Sequence, residues 1–257
     1  MKKLLVMVMA VMLVLSLNST FVFAADKTID SVAELKKQIS ESMKDGEMSA
    51  SEKEYLKANT DEKAAALFIS EKLDKAVNIL NNEETTEMEI NTDGSMHLEK
   101  VYALGDNCSL VIELSDMSED NGSLVSPLAT SGSSEMWKAY GNRYFTARAT
   151  VNTTLGSAEL SLENHYILSA NGIDENYGVA DTDVKAGVTI SKGAPVIDDK
   201  SARTPGASDV NMHCLYTIYL RNLKYNDYRL DTTVKYLAID KTNKKIKVGH
   251  AWNLIKL

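Results

Sequence analysis

Residues 144–168, with the sequence YFTARATVNTTLGSAELSLENHYIL, give the clearest indication of the fold class. In both halves of this stretch apolar or small side chains alternate with polar ones, which is the period of a β-strand with one buried face. The two halves therefore predict two strands that each contribute one face to a core. The positions predicted to point inward are Phe145, Ala147, Ala149, Val151, Ala158, Leu160, Leu162, Tyr166 and Leu168.

The same alternation recurs further along the chain, in the ranges 188–191, 211–220, 232–240 and 246–257. Turn residues separate these ranges. Strands at such spacing favour an antiparallel sandwich or barrel. We predict that residues 137–257 form an antiparallel β-sandwich.

Upstream, residues 83–116 also have a period of two. The ranges 87–91, 97–104 and 108–114 predict three strands, and the turn signals Asp93-Gly94 and Gly105-Asp106-Asn107 lie between them. Residues 83–136 carry a net charge of -11, whereas residues 137–257 carry +4. We expect these acidic hairpins to pack on the β domain. Residues 117–136 are rich in Ser and Gly and predict a linker or long loop.

Residues 25–82 predict a small helical unit. Val32, Leu35 and Ile39 share one face of a first helix, and Asp45-Gly46 supplies its end. The run Ser49-Ala50-Ser51-Glu52 matches a capping box that begins the next helix. After a break at Asn59-Thr60, a third apolar stripe follows. The predicted fold class is thus α+β, with a small N-terminal helical unit followed by an antiparallel β-sandwich.

The first 24 residues have the pattern of a secretory signal peptide. Lys2 and Lys3 precede an apolar run from Leu4 to Leu17, and Val22-Phe23-Ala24 is a small-residue cleavage site. We expect cleavage after Ala24, a secreted product and no stable membrane insertion afterwards. Without the leader the formal charge is -10, which opposes binding to nucleic-acid phosphates.

Two cysteines, Cys108 and Cys214, lie on the apolar faces of predicted strands. In an exported protein they are candidates for a disulfide that joins the acidic hairpins to the β domain. The alternative is two buried free thiols that behave as small apolar side chains. The sequence leaves both open.

The sequence contains few residues at the spacing that a metal site requires. The four histidines are scattered, without the spacing of a zinc site. A second acidic region, around residues 174–183, is predicted to be a loop that carries several carboxylates. Asp174, Asp181 and Asp183 are candidate calcium ligands there. Solvated carboxylates without a metal explain the same residues, and we expect no other cofactor.

Two polar and aromatic stretches, 137–145 and 200–209, are candidates for a ligand surface. Aromatic faces stack on sugars or peptides, and a polar loop on a rigid scaffold is a common binding element. The alternatives are an entry strand at the sandwich edge and an ordinary long turn in which Arg203 bonds Asp209. The candidate ligand-surface residues are Trp137, Tyr140, Arg143, Tyr144 and Arg203.

The chain shows no Gly-x-Ser-x-Gly motif and no phosphate-binding Gly-rich loop. We therefore expect a secreted, non-catalytic binding protein that acts outside the cell or at the envelope on a protein or polysaccharide. An extracellular hydrolase that uses carboxylates or a calcium-assisted site is the alternative, because a carboxylate pair leaves no local signature. A secreted toxin or antimicrobial factor is a third hypothesis.

As a whole, the chain resembles uncharacterised exported proteins of Gram-positive bacteria that place a helical segment before an all-β region. The leader, the Asp45-Gly46 helix break and the strand entry Tyr140-Gly141-Asn142-Arg143-Tyr144-Phe145 carry this resemblance. It implies export and a helical segment followed by β structure, and it transfers no activity.

Overall fold

The structure, a computed structural model, describes residues 28–44, 46–81, 89–90, 96–118, 136–184, 189–220 and 223–257. The leader, Asp45 and most of the expected 117–136 linker lie outside these residues. Within that linker, Met117 belongs to a strand and Met136 begins another.

Three helices come first, α1 (Val32–Ser42), α2 (Ala50–Asn59) and α3 (Glu62–Asn81). The capping box predicted at α2 is present, because the Ser49 side chain accepts from the Glu52 backbone N–H and the Glu52 carboxylate accepts from the Ser49 backbone N–H. Gly46, in the break before α2, has a φ of 112°, which favours glycine. The predicted helices are therefore confirmed.

Thirteen strands follow within the described ranges. They are β1 (Glu89–Ile90), β2 (Met96–Gly105), β3 (Cys108–Ser118), β4 (Met136–Ala139), β5 (Gly141–Thr153), β6 (Gly156–Ser169), β7 (Gly172–Val184), β8 (Thr189–Lys192), β9 (Val196–Asp199), β10 (Ser201–Ala202), β11 (Asp209–Leu220), β12 (Leu223–Asp240) and β13 (Lys245–Lys256). The region around residues 174–183, expected to supply turn carboxylates, is instead strand β7.

The strands form two antiparallel sheets. The first sheet has the order β1-β2-β3-β5-β6-β7-β10, and the second has the order β4-β13-β12-β11-β8, with β9 also paired to β11. Their inner faces supply most of one apolar core. The Tyr216 hydroxyl on β11 donates to the Ser161 carbonyl on β6 and so links the two faces. The predicted α+β fold with a β-sandwich is confirmed.

The acidic hairpin β2–β3 is continuous with the first sheet. Its two-residue turn, Asp106-Asn107, has positive φ at both positions, as a type I′ turn requires. Strand β3 then pairs with β5 from Ser109 to Ser118. The hairpin thus belongs to the sandwich itself.

Helix α3 contacts strands of both sheets. Asp74 accepts hydrogen bonds from the Tyr228 hydroxyl (2.9 Å) and from the Lys256 ammonium (2.7 Å) of the second sheet. On the other side, Lys72 is buried and pairs with Asp106 in the β2–β3 turn (2.6 Å). Among the described residues, no helix has both the length and the apolar character needed to cross a bilayer.

Candidate functional site

A buried polar cluster joins the two sheets. Its centre is Asp116 on β3, which accepts from Arg143 Nε (2.8 Å) and from the Tyr166 hydroxyl (2.6 Å) of the same sheet. From the second sheet, His250 Nε2 lies 2.6 Å and Lys138 Nζ 3.7 Å from the carboxylate oxygens of Asp116. All five side chains are buried, so this cluster is placed to hold the sheets together.

Charge attraction keeps Asp116 ionised inside the core. Burial by itself would raise the pKa of its carboxyl group, but Lys138, Arg143 and His250 outweigh burial and hold that pKa well below its usual value. Burial and the neighbouring Asp116 raise the pKa of the Tyr166 hydroxyl well above its usual value. The hydroxyl therefore stays protonated and donates to the carboxylate.

A second buried carboxyl group, Glu175 on β7, has different surroundings. Neither of its oxygens has a hydrogen-bond partner among the described residues, and the same is true of the side-chain amide of Asn164. The pKa of Glu175 is raised to about 8. Burial is the largest cause, and Asp198 and Asp199 raise the pKa further. Asn164 lowers it, although the amide of Asn164 forms no hydrogen bond with the carboxyl group of Glu175. At neutral pH Glu175 is therefore mostly uncharged.

The outward side of the first sheet, which we call the outer face, carries a row of opposed side chains across four strands. Met117 on β3 is opposite Tyr144 on β5, Tyr144 is opposite His165 on β6, and His165 is opposite Tyr177 on β7. We call these four residues the outer row. The rings of Tyr144 and His165 stack at 5.5 Å between centroids, and those of His165 and Tyr177 at 4.0 Å.

Local contacts hold the outer row in place. The His165 imidazole lies 2.6 Å from Glu163 Oε1, and Thr146 donates to the other oxygen of that carboxylate (3.1 Å). The Tyr144 hydroxyl donates to the sulfur of Met117. Because the rings are stacked and tethered, the outer row has a defined shape before any ligand arrives.

The outer face also has an exposed apolar surface. Five of the eight large apolar side chains that are exposed among the described residues point from this face. Tyr177 and Val179 on β7 are 46% and 48% exposed. Exposed apolar side chains gathered on one face mark an interaction site more often than isolated ones do. The five are Val101, Met117, Ile167, Tyr177 and Val179.

The same face is strongly acidic. In the described strands β2, β3, β5, β6 and β7, seven outward carboxylates accompany a single outward arginine, Arg148. Lys192 and Arg203 reach in from neighbouring segments and pair with Asp181 and Asp174. The seven are Glu99, Glu113, Glu159, Glu163, Asp174, Asp181 and Asp183.

The five residues predicted from the sequence to form a ligand surface lie in different parts of the structure. Tyr144 belongs to the outer row, but Arg143 points inward to Asp116 and is buried, so its prediction as a surface residue was wrong. Trp137 lies on β4 of the second sheet, and Tyr140 follows that strand. Arg203 donates to Asp174 (3.0 Å), not to Asp209 as considered from the sequence.

The candidate calcium ligands do not converge. Asp174, Asp181 and Asp183 all lie on strand β7, and seven residues of strand place Asp174 about 23 Å from Asp181, too far to share an ion. Asp174 and Asp181 instead pair with Arg203 and Lys192. No group of three His, Cys, Asp or Glu side chains able to hold a metal is found in the described ranges.

The two cysteines are free and buried. Cys108 on β3 donates to the Asp106 carbonyl, and Cys214 on β11 donates to the Gly193 carbonyl. The two cysteines lie on strands of different sheets. Of the two alternatives left open by the sequence, the structure contains the pair of buried free thiols and not the disulfide. Burial raises the pKa of Cys108 to about 11 and also raises that of Cys214.

His165 and Tyr177 are site residues that the sequence reasoning missed. His165 stood at an outward position of a predicted strand, but its neighbours depend on the pairing of β6 with β7.

Comparisons with protein-family models, with curated proteins and with solved structures found no match to this chain.

Proposed function

We propose that this protein is exported and acts outside the cell or at the envelope as a non-catalytic binding protein. The observation that carries the proposal is the outer face, where a stacked and tethered aromatic row is flanked by the exposed side chains of Ile167 and Val179. The leader, with Lys2 and Lys3 before an apolar run and Ala24 at the cleavage site, supports export. The contact surface is the outer face, with Tyr177 as its anchor.

The two buried carboxyl groups of the β-sandwich favour binding over hydrolysis. Asp116 and Glu175 have pKa values displaced in opposite directions, which is the pattern of a general acid and its partner carboxylate. They lie on β3 and β7, three strand spacings apart in one sheet, or about 14 Å between backbones. Glycosidase carboxylates lie roughly 5 to 9.5 Å apart. Asp116 is also fully engaged by its neighbours, so the pair lacks the geometry of an acid–base site.

Position-specific photocrosslinking tests the contact surface. A benzophenone side chain replaces either Tyr177 or Leu215, and each protein is added to a culture of the source organism before irradiation. Leu215 is the matched control, because it is 43% exposed on the outward side of the second sheet. We expect adducts from position 177 and not from position 215. Equal labelling at both positions, or none, would contradict the proposal.

Export is tested separately, by sequencing the N-terminus of protein collected from the culture supernatant. The expected sequence begins Ala25-Asp26-Lys27. A product that stays with the membrane and retains Met1 would refute this part of the proposal.

A further inference from the structure

We propose that the partner of the outer face is a protein that presents an apolar side chain surrounded by lysines and arginines. This inference rests on the proposed binding function and specifies the chemistry of the ligand. Three features of the outer face support it: the way its rings are stacked, the sign of its charge and its size.

The stacking leaves little ring surface for a sugar. Carbohydrates pack flat against exposed aromatic faces, but Tyr144 and Tyr177 cover the two faces of His165, which is only 8% exposed. The row therefore presents ring edges and hydroxyl groups, together with the exposed part of Tyr177. Apolar side chains beside it, at Ile167 and Val179, extend a surface suited to an inserted side chain of a protein.

The negative charge of the outer face favours a partner protein with a basic surface. Seven outward carboxylates accompany one outward arginine, and Lys192 and Arg203 offset only two of them. Two copies of the chain joined through this face would bring like charges together, which disfavours a symmetric dimer. Phosphate-bearing and other anionic surfaces are repelled for the same reason. A surface with basic residues around its anchor is complementary to this face.

The size of the outer face matches a specific protein interface. Four neighbouring strands, β3, β5, β6 and β7, give a width of about 19 Å, and strands of 11 to 14 residues give a length of about 40 Å. The product, about 800 Å², is close to the area that each partner buries in a standard complex. Tyr177 on β7 supplies an exposed apolar anchor towards one side of this area, and the carboxylates around it supply a charged rim, as at a binding hot spot.

The test selects ligands from a phage-displayed library of random short peptides against the immobilised protein, and runs a panel of soluble glycans in parallel. We expect the enriched peptides to combine a positive net charge with an aromatic or aliphatic residue. Synthetic copies of them should bind Tyr177→Ala about tenfold more weakly or worse, the loss of an interface hot spot, and should bind Leu215→Ala unchanged.

Charge variants separate the rim from the anchor. Asp183→Lys on β7 should weaken binding of these peptides severalfold at low ionic strength, and high ionic strength should abolish most of the difference. Glu54→Lys, on the exposed surface of α2, makes the same change in net charge and should have no effect.

Enrichment of neutral or acidic peptides would overturn this inference. So would glycans that bind through Tyr177 while the basic peptides do not. Both results are compatible with crosslinking from position 177 and therefore leave the proposed binding function standing. Loss of crosslinking at position 177 would instead remove the proposed function itself.

Discussion

Replacing Glu175 with Gln should remove most of the pH dependence of stability between pH 6 and pH 8. Glu175 is 2% exposed, and neither carboxyl oxygen has a hydrogen-bond partner among the described residues. Its pKa is raised from 4.5 to about 8. Burial is the main cause, Asp198 and Asp199 raise the pKa further, and Asn164 lowers it in part. Gln is neutral and of similar size, so the variant resembles the protonated form of the native side chain.

The sign and size follow from the two pKa values. The folded protein holds the proton more tightly than the unfolded chain, so the stability that Glu175 contributes is complete below about pH 4.5 and is lost as the pH rises through 8. In that window each pH unit costs about 1.4 kcal/mol, so the rise from pH 6 to pH 8 lowers the free energy of unfolding by about 2 to 3 kcal/mol. Above about pH 8 the carboxylate is charged in both states and this dependence levels off.

Urea unfolding at several pH values between 5.5 and 9, followed by circular dichroism, measures this effect. The native protein should lose stability across the range, whereas Glu175→Gln should stay nearly flat and exceed the native protein at pH 8. Glu54→Gln, which removes an exposed carboxylate on α2, should follow the native curve. Equal slopes for the native protein and Glu175→Gln would refute the reasoning, as would native stability that rises with pH.

Three further substitutions probe other contacts, each by urea titration. Tyr166→Phe removes the hydroxyl that donates to Asp116 and should cost about 2 kcal/mol, the value of a hydrogen bond to a charged group; a loss near zero would mean that the bond is dispensable. Gly178→Ala should cost about 1 to 3 kcal/mol, because a Cβ there would lie 2.1 Å from the Met212 sulfur, and the cost should fall in a Met212→Ala background. Ser49→Ala should cost about 1 kcal/mol by removing the cap of α2, and an unchanged midpoint would contradict this.

The strands with one buried face could be predicted from the sequence because burial imposes a period of two on them. Strands β5 and β6 show this alternation over most of their length, and both were predicted. Strand β7 was not, because Asp174, Asp181 and Asp183 are of a residue type that is depleted in strands. Its formation depends on pairing with β6 and on burial of Ile173 and Ala180.

The candidate site was harder to predict because it depends on the register between strands. Tyr144 was named from the sequence as a ligand-surface residue, but its contact with His165 follows from the pairing of β5 and β6. Arg143 was assigned to the ligand surface because it lies in the polar and aromatic stretch 137–145, but its side chain is buried. Its partner, Asp116, lies 27 residues earlier on a neighbouring strand, and the sequence gives no local sign of the pair.

The hydrogen bonds that attach α3 to the second sheet have a consequence for when the protein finishes folding. Asp74 is translated 182 residues before Lys256, one of its two partners. The helix therefore completes its docking only after the last strand has been made, and contacts so distant in sequence close slowly. Until then the nascent chain lacks its finished tertiary structure. An unfinished chain can still be threaded across a membrane, so the order of assembly suits the export proposed here.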